Sequence, residues 1–112
     1  MAHPDADQLP EINADEAIGL VAGGALLIDV REQDEWDAGH APTAQLLPMS
    51  VLRERIGELP ADRQLLIVCH SGGRSARMTD LLLGSGYDAV NVIGGMTAWT
   101  AAGGPVDTAA SS

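Results

Sequence analysis

Leu65-Leu66-Ile67-Val68-Cys69-His70-Ser71-Gly72-Gly73-Arg74-Ser75-Ala76-Arg77 is the stretch that reveals the fold. Leu65 to Val68 is an unbroken aliphatic run, the pattern of a strand covered on both faces. A polar, Gly-rich loop follows. The apolar spacing beyond it predicts a helix from about Ser75 to Leu83, with the three leucines at Leu81 to Leu83 in the core and Gly84 and Gly86 ending it.

The same alternation extends in both directions. Upstream, Asn13 and Glu16 resemble a capping box, and Ala17, Ile18 and Val21 form an apolar helical face closed by Gly23-Gly24. Ala25 to Val30 reads as a buried strand, Asp34 to Ala38 as a short helix stopped by Gly39, and Gln45 to Leu47 as a brief strand. Ser50 is expected to cap a helix carrying Val51, Leu52, Ile56 and Leu59 before Pro60. Downstream, Ala89 to Ile93 reads as a strand and Met96 to Ala102 as a last helix, closed by Gly103-Gly104 and Pro105. Apolar strands alternating with amphipathic helices imply an α/β fold with a mainly parallel sheet. Residues 1–10 read as an N-terminal extension, 11–106 as one domain, and 107–112 as a small, polar, disordered tail.

The 112 residues suit a single domain. Sixteen acidic residues stand against six arginines, giving a formal net charge of -10. Such a balance opposes binding to nucleic acid or to an anionic membrane, both of which need a basic face. No apolar run approaches the ~20 residues of a membrane span. Met1 to Pro10 is polar and acidic, unlike a signal peptide. A single cysteine precludes an internal disulfide and speaks against a zinc cluster. The expected setting is therefore the reducing cytoplasm, with neither metal nor cofactor.

Ligands of parallel sheets bind beyond the carboxyl ends of the strands, which directs attention to Asp29-Val30-Arg31 and to Cys69 through Ser75. In the second segment two glycines let the backbone curl and turn N–H groups inward. Together with the start of a helix, such groups cradle an anion. A thiolate at the centre would be stabilised by them, as would a persulfide or a thiosulfate-like dianion. A lone Cys is otherwise a small buried hydrophobe, but a core Cys has no need of the glycines, the arginine and the helix start beside it. Arg74 and Arg77 oppose the helix dipole, at a cost of about 0.3–1 kcal/mol each. Arg74 is assigned to the site or to holding the loop's shape. Arg77 serves either the anion or surface carboxylates.

At these residues the chain resembles the rhodanese family of sulfurtransferases. Cys69-His70-Ser71-Gly72-Gly73-Arg74-Ser75 matches the family pattern of Cys, two variable residues, Gly, one variable residue, Arg, then Ser or Thr. Ile28 through Glu32, Glu35-Trp36, Gly39-His40 and Pro42 resemble its amino-terminal signature. Gly94-Gly95-Met96, Ala98-Trp99 and Gly103 through Val106 resemble its carboxy-terminal one. Ala41 departs from a larger aliphatic residue and Thr43 from Gly, which puts the turn after the short helix in question.

The resemblance implies a rhodanese-like, five-stranded, mainly parallel sheet flanked by helices. It implies a ping-pong thiosulfate sulfurtransferase in which Cys69 takes sulfane sulfur from a small anionic donor and passes it to cyanide or a thiol, with His70, Ser71, Gly72, Gly73, Arg74 and Ser75 binding the substrate. A persulfide carrier exchanging sulfur with a protein donor or acceptor is the alternative. A rhodanese-like phosphatase or arsenate reductase is disfavoured, because those enzymes have one more residue between Cys and Arg than the four found here, and commonly His where Val68 stands.

Asp29 is read as capping the turn at Arg31 to Gln33, with a supporting place at the site as the alternative. Arg31 and Glu32 are expected to tie neighbouring loops. His40 is read as hydrogen-bonded to backbone rather than as a general acid. His70 either attracts the donor, shuttles a proton, or is a solvated loop residue. Trp36 and Trp99 are packing residues.

Overall fold

The computed structural model describes residues 9–108. The elements follow as β1 (Glu11–Ile12), α1 (Ala14–Ala22), β2 (Leu26–Asp29), α2 (Gln33–Ala38), β3 (Gln45–Leu46), α3 (Leu52–Arg55), a 3-10 turn (Ile56–Glu58), β4 (Leu65–Val68), α4 (Gly73–Gly84), β5 (Ala89–Val92) and α5 (Gly95–Ala101). All strand pairings are parallel, in the order β1-β5-β4-β2-β3. This is a rhodanese-like α/β architecture, a five-stranded parallel sheet between two layers of helix.

The apolar runs are continuous because both faces of the sheet are covered. Ile28, Val30, Leu65, Ile67, Cys69 and Ala89 pack on one side with Leu52 of α3 and Leu82 of α4. Leu27, Leu66, Val68, Val90 and Val92 pack on the other with Ala17 of α1 and Met96 and Trp99 of α5. Neighbouring strand residues face opposite sides, so each aliphatic residue has its own layer to fill. Leu82 is buried in the core, with Leu81 and Leu83 packed at its edge.

Several boundaries differ from the sequence reading. β1 is too short for periodicity to reveal, and it exists because Asn91 and Ile93 donate their N–H groups to the carbonyls of Pro10 and Ile12. Pro10, placed above in an extension, is therefore tied to the sheet, while residues 1–8 lie outside the described residues. α3 starts at Leu52 behind Val51 rather than behind Ser50. The Ser50 hydroxyl instead donates to Glu32 Oε1 at 2.8 Å, pinning the loop after β3 to the start of α2. Asp107, assigned above to a disordered tail, exchanges both backbone hydrogen bonds with His40, each 2.8 Å; residues 109–112 lie outside the described residues. The turn at Ala41–Ala44 closes with the Ala44 N–H on the Ala41 carbonyl at 3.0 Å. Thr43 has no positive φ there, so glycine is not required.

α4 begins at Gly73, two residues earlier than read, because Gly72 caps it in a left-handed conformation, φ 108°. The N-terminus of α5 backs directly onto the loop between β4 and α4. Met96 N–H donates to the Cys69 carbonyl at 2.7 Å and Thr97 N–H to the His70 carbonyl at 3.0 Å. Gly95 makes this approach with φ 56°, and a Cβ there would strike the Cys69 carbonyl oxygen. Gly95→Ala should therefore cost about 2 kcal/mol or more, combining backbone strain with overpacking; thermal melts against Gly24→Ala, which has open space but also a positive φ, separate the collision from the strain.

Candidate active site

Cys69 follows β4 immediately, with its side chain on the α4 face of the sheet and 1% of its surface exposed. The chain then turns back through His70 and Ser71 to Gly72, whose N–H donates to Cys69 Sγ at 3.1 Å. Ser75, in the first turn of α4, places its hydroxyl 3.3 Å from the same sulfur. Burial alone would push the thiol up. The Ser75 hydroxyl and the N–H groups of Ser75, Gly72 and Ser71 outweigh it, and the thiol lies below its ordinary range. The free N–H groups of a 12-residue helix open on the same point.

Arg74 leaves the loop sideways. Its Nη1 and Nη2 donate to Glu35 Oε1 and Oε2, both at 2.7 Å, a bidentate bridge from α4 to α2. The Arg74 guanidinium holds the Glu35 carboxyl down to about 2; burial opposes this and the Glu32 N–H assists it. Arg31 is similarly occupied. Asp29, fully buried, accepts from the Arg31 N–H at 3.0 Å and grips its Nε and Nη2. Arg31 Nη2 also donates to the Gly39 carbonyl at 2.7 Å. Both arginines near the sulfur are thus neutralised by carboxylates.

His70 is exposed at the edge of a cavity of about 440 Å³, which Arg31, Glu35, Met96, Thr97 and Val106 also line.

Residues 13–102 match the family model of the rhodanese-like domain. The chain belongs to the rhodanese-like family. It is 40% identical to a sulfurtransferase of Allochromatium vinosum over 82 residues, 72% of this chain and 77% of that one. It is 42% identical over 76 residues to MoeZ of Mycobacterium tuberculosis, named "Probable adenylyltransferase/sulfurtransferase"; the match takes in 65% of this chain but only 19% of that longer protein. Among solved structures, a rhodanese-related protein of Thermoplasma volcanium superposes with a TM-score of 0.82 at 32% identity, covering 88% of this chain and 97% of that one. The chemistry common to these sequence relatives is sulfur transfer.

Within this rhodanese-like domain Ser71, Gly72 and Ser75 present donors to the Cys69 sulfur, while Arg74 is turned to Glu35. Ser75, expected to bind the substrate, is buried like Cys69 itself, with its hydroxyl against the sulfur. Arg77 is not brought to the site: it is exposed on α4 and lines a separate cleft with Arg53 and Met78. Asp29 and Arg31 are joined to each other and to the Gly39 turn. His40 stacks on Trp36, centroids 3.8 Å apart, and its Nδ1 lies 2.9 Å from the Trp36 carbonyl. Trp99 is core, its Nε1 donating to the Pro105 carbonyl at 2.9 Å.

Two residues at the site went unassigned in the sequence reading. Glu35 was only part of a motif; a carboxylate in the first turn of α2 is also what a helix dipole favours, so its type gave no separate signal. Asn91 was hidden in a strand, where one amide among aliphatics was the available signal.

Lysine cannot reproduce the two-pronged contact with Glu35. Arg74→Lys should therefore lower thermal stability nearly as far as Arg74→Ala, by about 1–2 kcal/mol. Melting temperatures of both variants check this, and near-normal melting in Arg74→Lys would show that charge alone suffices.

Because the folded Glu35 carboxyl titrates at about 2 rather than 4.5, its contribution is complete above about 4.5 and disappears as pH falls through 2. The stability gap between the native protein and Glu35→Gln should accordingly narrow as pH drops below 4.5, measured by denaturant unfolding at stepped pH.

Proposed function

We propose that the protein is a thiosulfate sulfurtransferase and that Cys69 is its sulfur-carrying nucleophile. The observation that carries this reading is the convergence of the Gly72 N–H and the Ser75 hydroxyl on the Cys69 sulfur, 3.1 and 3.3 Å away, at the start of α4.

The Cys69 thiolate attacks the outer sulfur of thiosulfate. A new S–S bond forms, the S–S bond of the donor breaks, and sulfite leaves with the electron pair. The resulting persulfide is then attacked at its terminal sulfur by cyanide or a thiolate, and the Cys69 thiolate is the leaving group. The inward N–H groups of Ser71, Gly72 and Ser75 hold negative charge at both stages. Gly72 and Gly73 let the loop close and let the helix start beside the sulfur. His70 stands at the cavity edge, where donor and acceptor arrive. Arg74, Arg31 and Asp29 act on shape, since their charges are mutually satisfied.

A persulfide carrier is the second reading. It is favoured by the relation to MoeZ, in which the matching stretch is 19% of a longer protein, so that sulfur could pass between protein partners without a small donor. The short loop, with four residues between Cys69 and Arg74, favours either sulfur reading over phosphate-ester or arsenate chemistry.

Intact-mass spectrometry decides between them. Thiosulfate should add the mass of one sulfur atom to the native protein, and cyanide or dithiothreitol should remove it. Cys69→Ser should take up none while melting as the native protein does, because a serine hydroxyl does not ionise at neutral pH. Sulfur uptake from a protein persulfide but not from thiosulfate would select the carrier reading. Uptake by Cys69→Ser would exclude Cys69 as the carrier of the sulfur.

A further inference from the structure

Asn91 is an amide in the body of the sheet. It lies in β5, in register with Ile67 of β4 and Glu11 of β1, and is 2% exposed. Its strand neighbours Val90 and Val92 are aliphatic, as is Ala89, and an amide placed there must find partners to offset its desolvation. Both ends are satisfied. Nδ2 donates to Glu11 Oε2 at 3.1 Å, and Oδ1 accepts from the Ser75 hydroxyl at 2.6 Å. With the donor end Nδ2 on the Glu11 side chain, the acceptor end Oδ1 faces Ser75.

A serine hydroxyl carries one proton. Three acceptors surround that of Ser75: Asn91 Oδ1 at 2.6 Å, the Gly72 carbonyl at 3.2 Å and Cys69 Sγ at 3.3 Å. The shortest of these contacts takes the proton, which leaves an oxygen lone pair for the sulfur.

We propose that Asn91 is a positioning residue for sulfur transfer, competing with the Cys69 sulfur for the single Ser75 proton. The proposal rests on Cys69 being the sulfur-carrying nucleophile. In the thiol state the chain runs from the Cys69 S–H to Ser75 Oγ, from the Ser75 hydroxyl to Asn91, and from the Asn91 amide to Glu11. When Cys69 loses its proton to solvent, the Ser75 hydroxyl can serve the anion only by turning away from Asn91, whose buried Oδ1 then has no donor. Asn91 therefore restrains the stabilisation that the loop N–H groups supply. The chemical benefit is reactivity: thiolate nucleophilicity falls as thiol pKa falls, and the best attacking thiol titrates near ambient pH.

The other polar groups near the sulfur take no part in the hydrogen bonds of the Asn91 side chain, which go to Ser75 and Glu11. They are the loop N–H groups, the Arg74–Glu35 bridge from α4 and α2, the Asp29–Arg31 pair after β2, and His70 beside it. From α5, the Met96 N–H is spent on the Cys69 carbonyl.

The test is the pH dependence of Cys69 alkylation by iodoacetamide, in which the thiolate forms an S–C bond and iodide leaves. Asn91→Leu should move the midpoint down by about half to one pH unit, the worth of one hydrogen bond. The alkylation rate on the high-pH plateau should fall as well. Ser75→Ala should move the midpoint up, and Asn91→Leu added to Ser75→Ala should move it no further. A merely structural Asn91 would, when lost, loosen the N–H donors and raise the midpoint in both backgrounds. Asn91→Val, suited to a strand, serves if the leucine variant does not fold. An upward or absent shift, or one undiminished in the Ser75→Ala background, overturns the proposal. Alkylation needs no sulfur donor, so failure of the sulfurtransferase reading appears separately, as no added sulfur on the native protein.

Discussion

Peptide planarity is the constraint on which this structure turns. A loop that points its N–H groups inward at the Cys69 sulfur must point carbonyls outward, and buried carbonyls need donors. The N-terminus of α5 supplies them, through the N–H groups of Met96 and Thr97 on the carbonyls of Cys69 and His70. Those groups have no partner inside their own helix. One helix start thus completes the hydrogen bonding of the loop while another, that of α4, opens toward the sulfur. The contact is close enough to need glycine at position 95, and Gly72 packs its own backbone against Gly94. The carboxy-terminal Gly94-Gly95 motif and the Cys69 loop are therefore two halves of one arrangement, although about 25 positions separate them in the chain.

Charge near the sulfur is used for shape. Arg31 is held by Asp29 and the Gly39 carbonyl, and Arg74 by both oxygens of Glu35. These contacts join the ends of β2 and α2 to the start of α4, so the loop following two flexible glycines has a rigid neighbour. What is left to stabilise an anion at Cys69 is mainly backbone N–H and one hydroxyl. The N–H donors are fixed by the fold and need no reorganisation when charge develops.

The chain Glu11, Asn91, Ser75, Cys69, buried from Asn91 inward, adds a third link, from the edge of the sheet to the sulfur. β1 is a two-residue strand whose Ile12 packs at the edge of the core. Pairing with β5 brings Glu11 beside Asn91 and so orients the amide. Residues far apart in sequence meet here because neighbouring strands in register present their side chains on one face.

Local chemistry was sufficient to read the strand Leu65–Val68, the loop after it and the helix beyond, because burial on both faces, a glycine pair and helical spacing each leave a mark within a few residues. It also singled out Cys69 as the candidate nucleophile. The same kind of reading missed β1, whose order comes from a neighbour rather than from its own pattern, misplaced the cap of α3, where Ser50 serves Glu32, and started α4 two residues late, where Gly72 supplies a left-handed backbone. Above all it could not pair the charges. Arg74 and Arg77 are alike in the sequence, three residues apart on one helix, yet one is gripped by Glu35 and the other faces solvent. By itself the sequence determined an α/β sheet, a sulfur at a strand end and a Gly-rich loop between it and a helix start. Only the tertiary structure decided which partners Arg31, Arg74 and Ser75 take, since a side chain's hydrogen bonds depend on what the folded chain brings within about 3 Å of it.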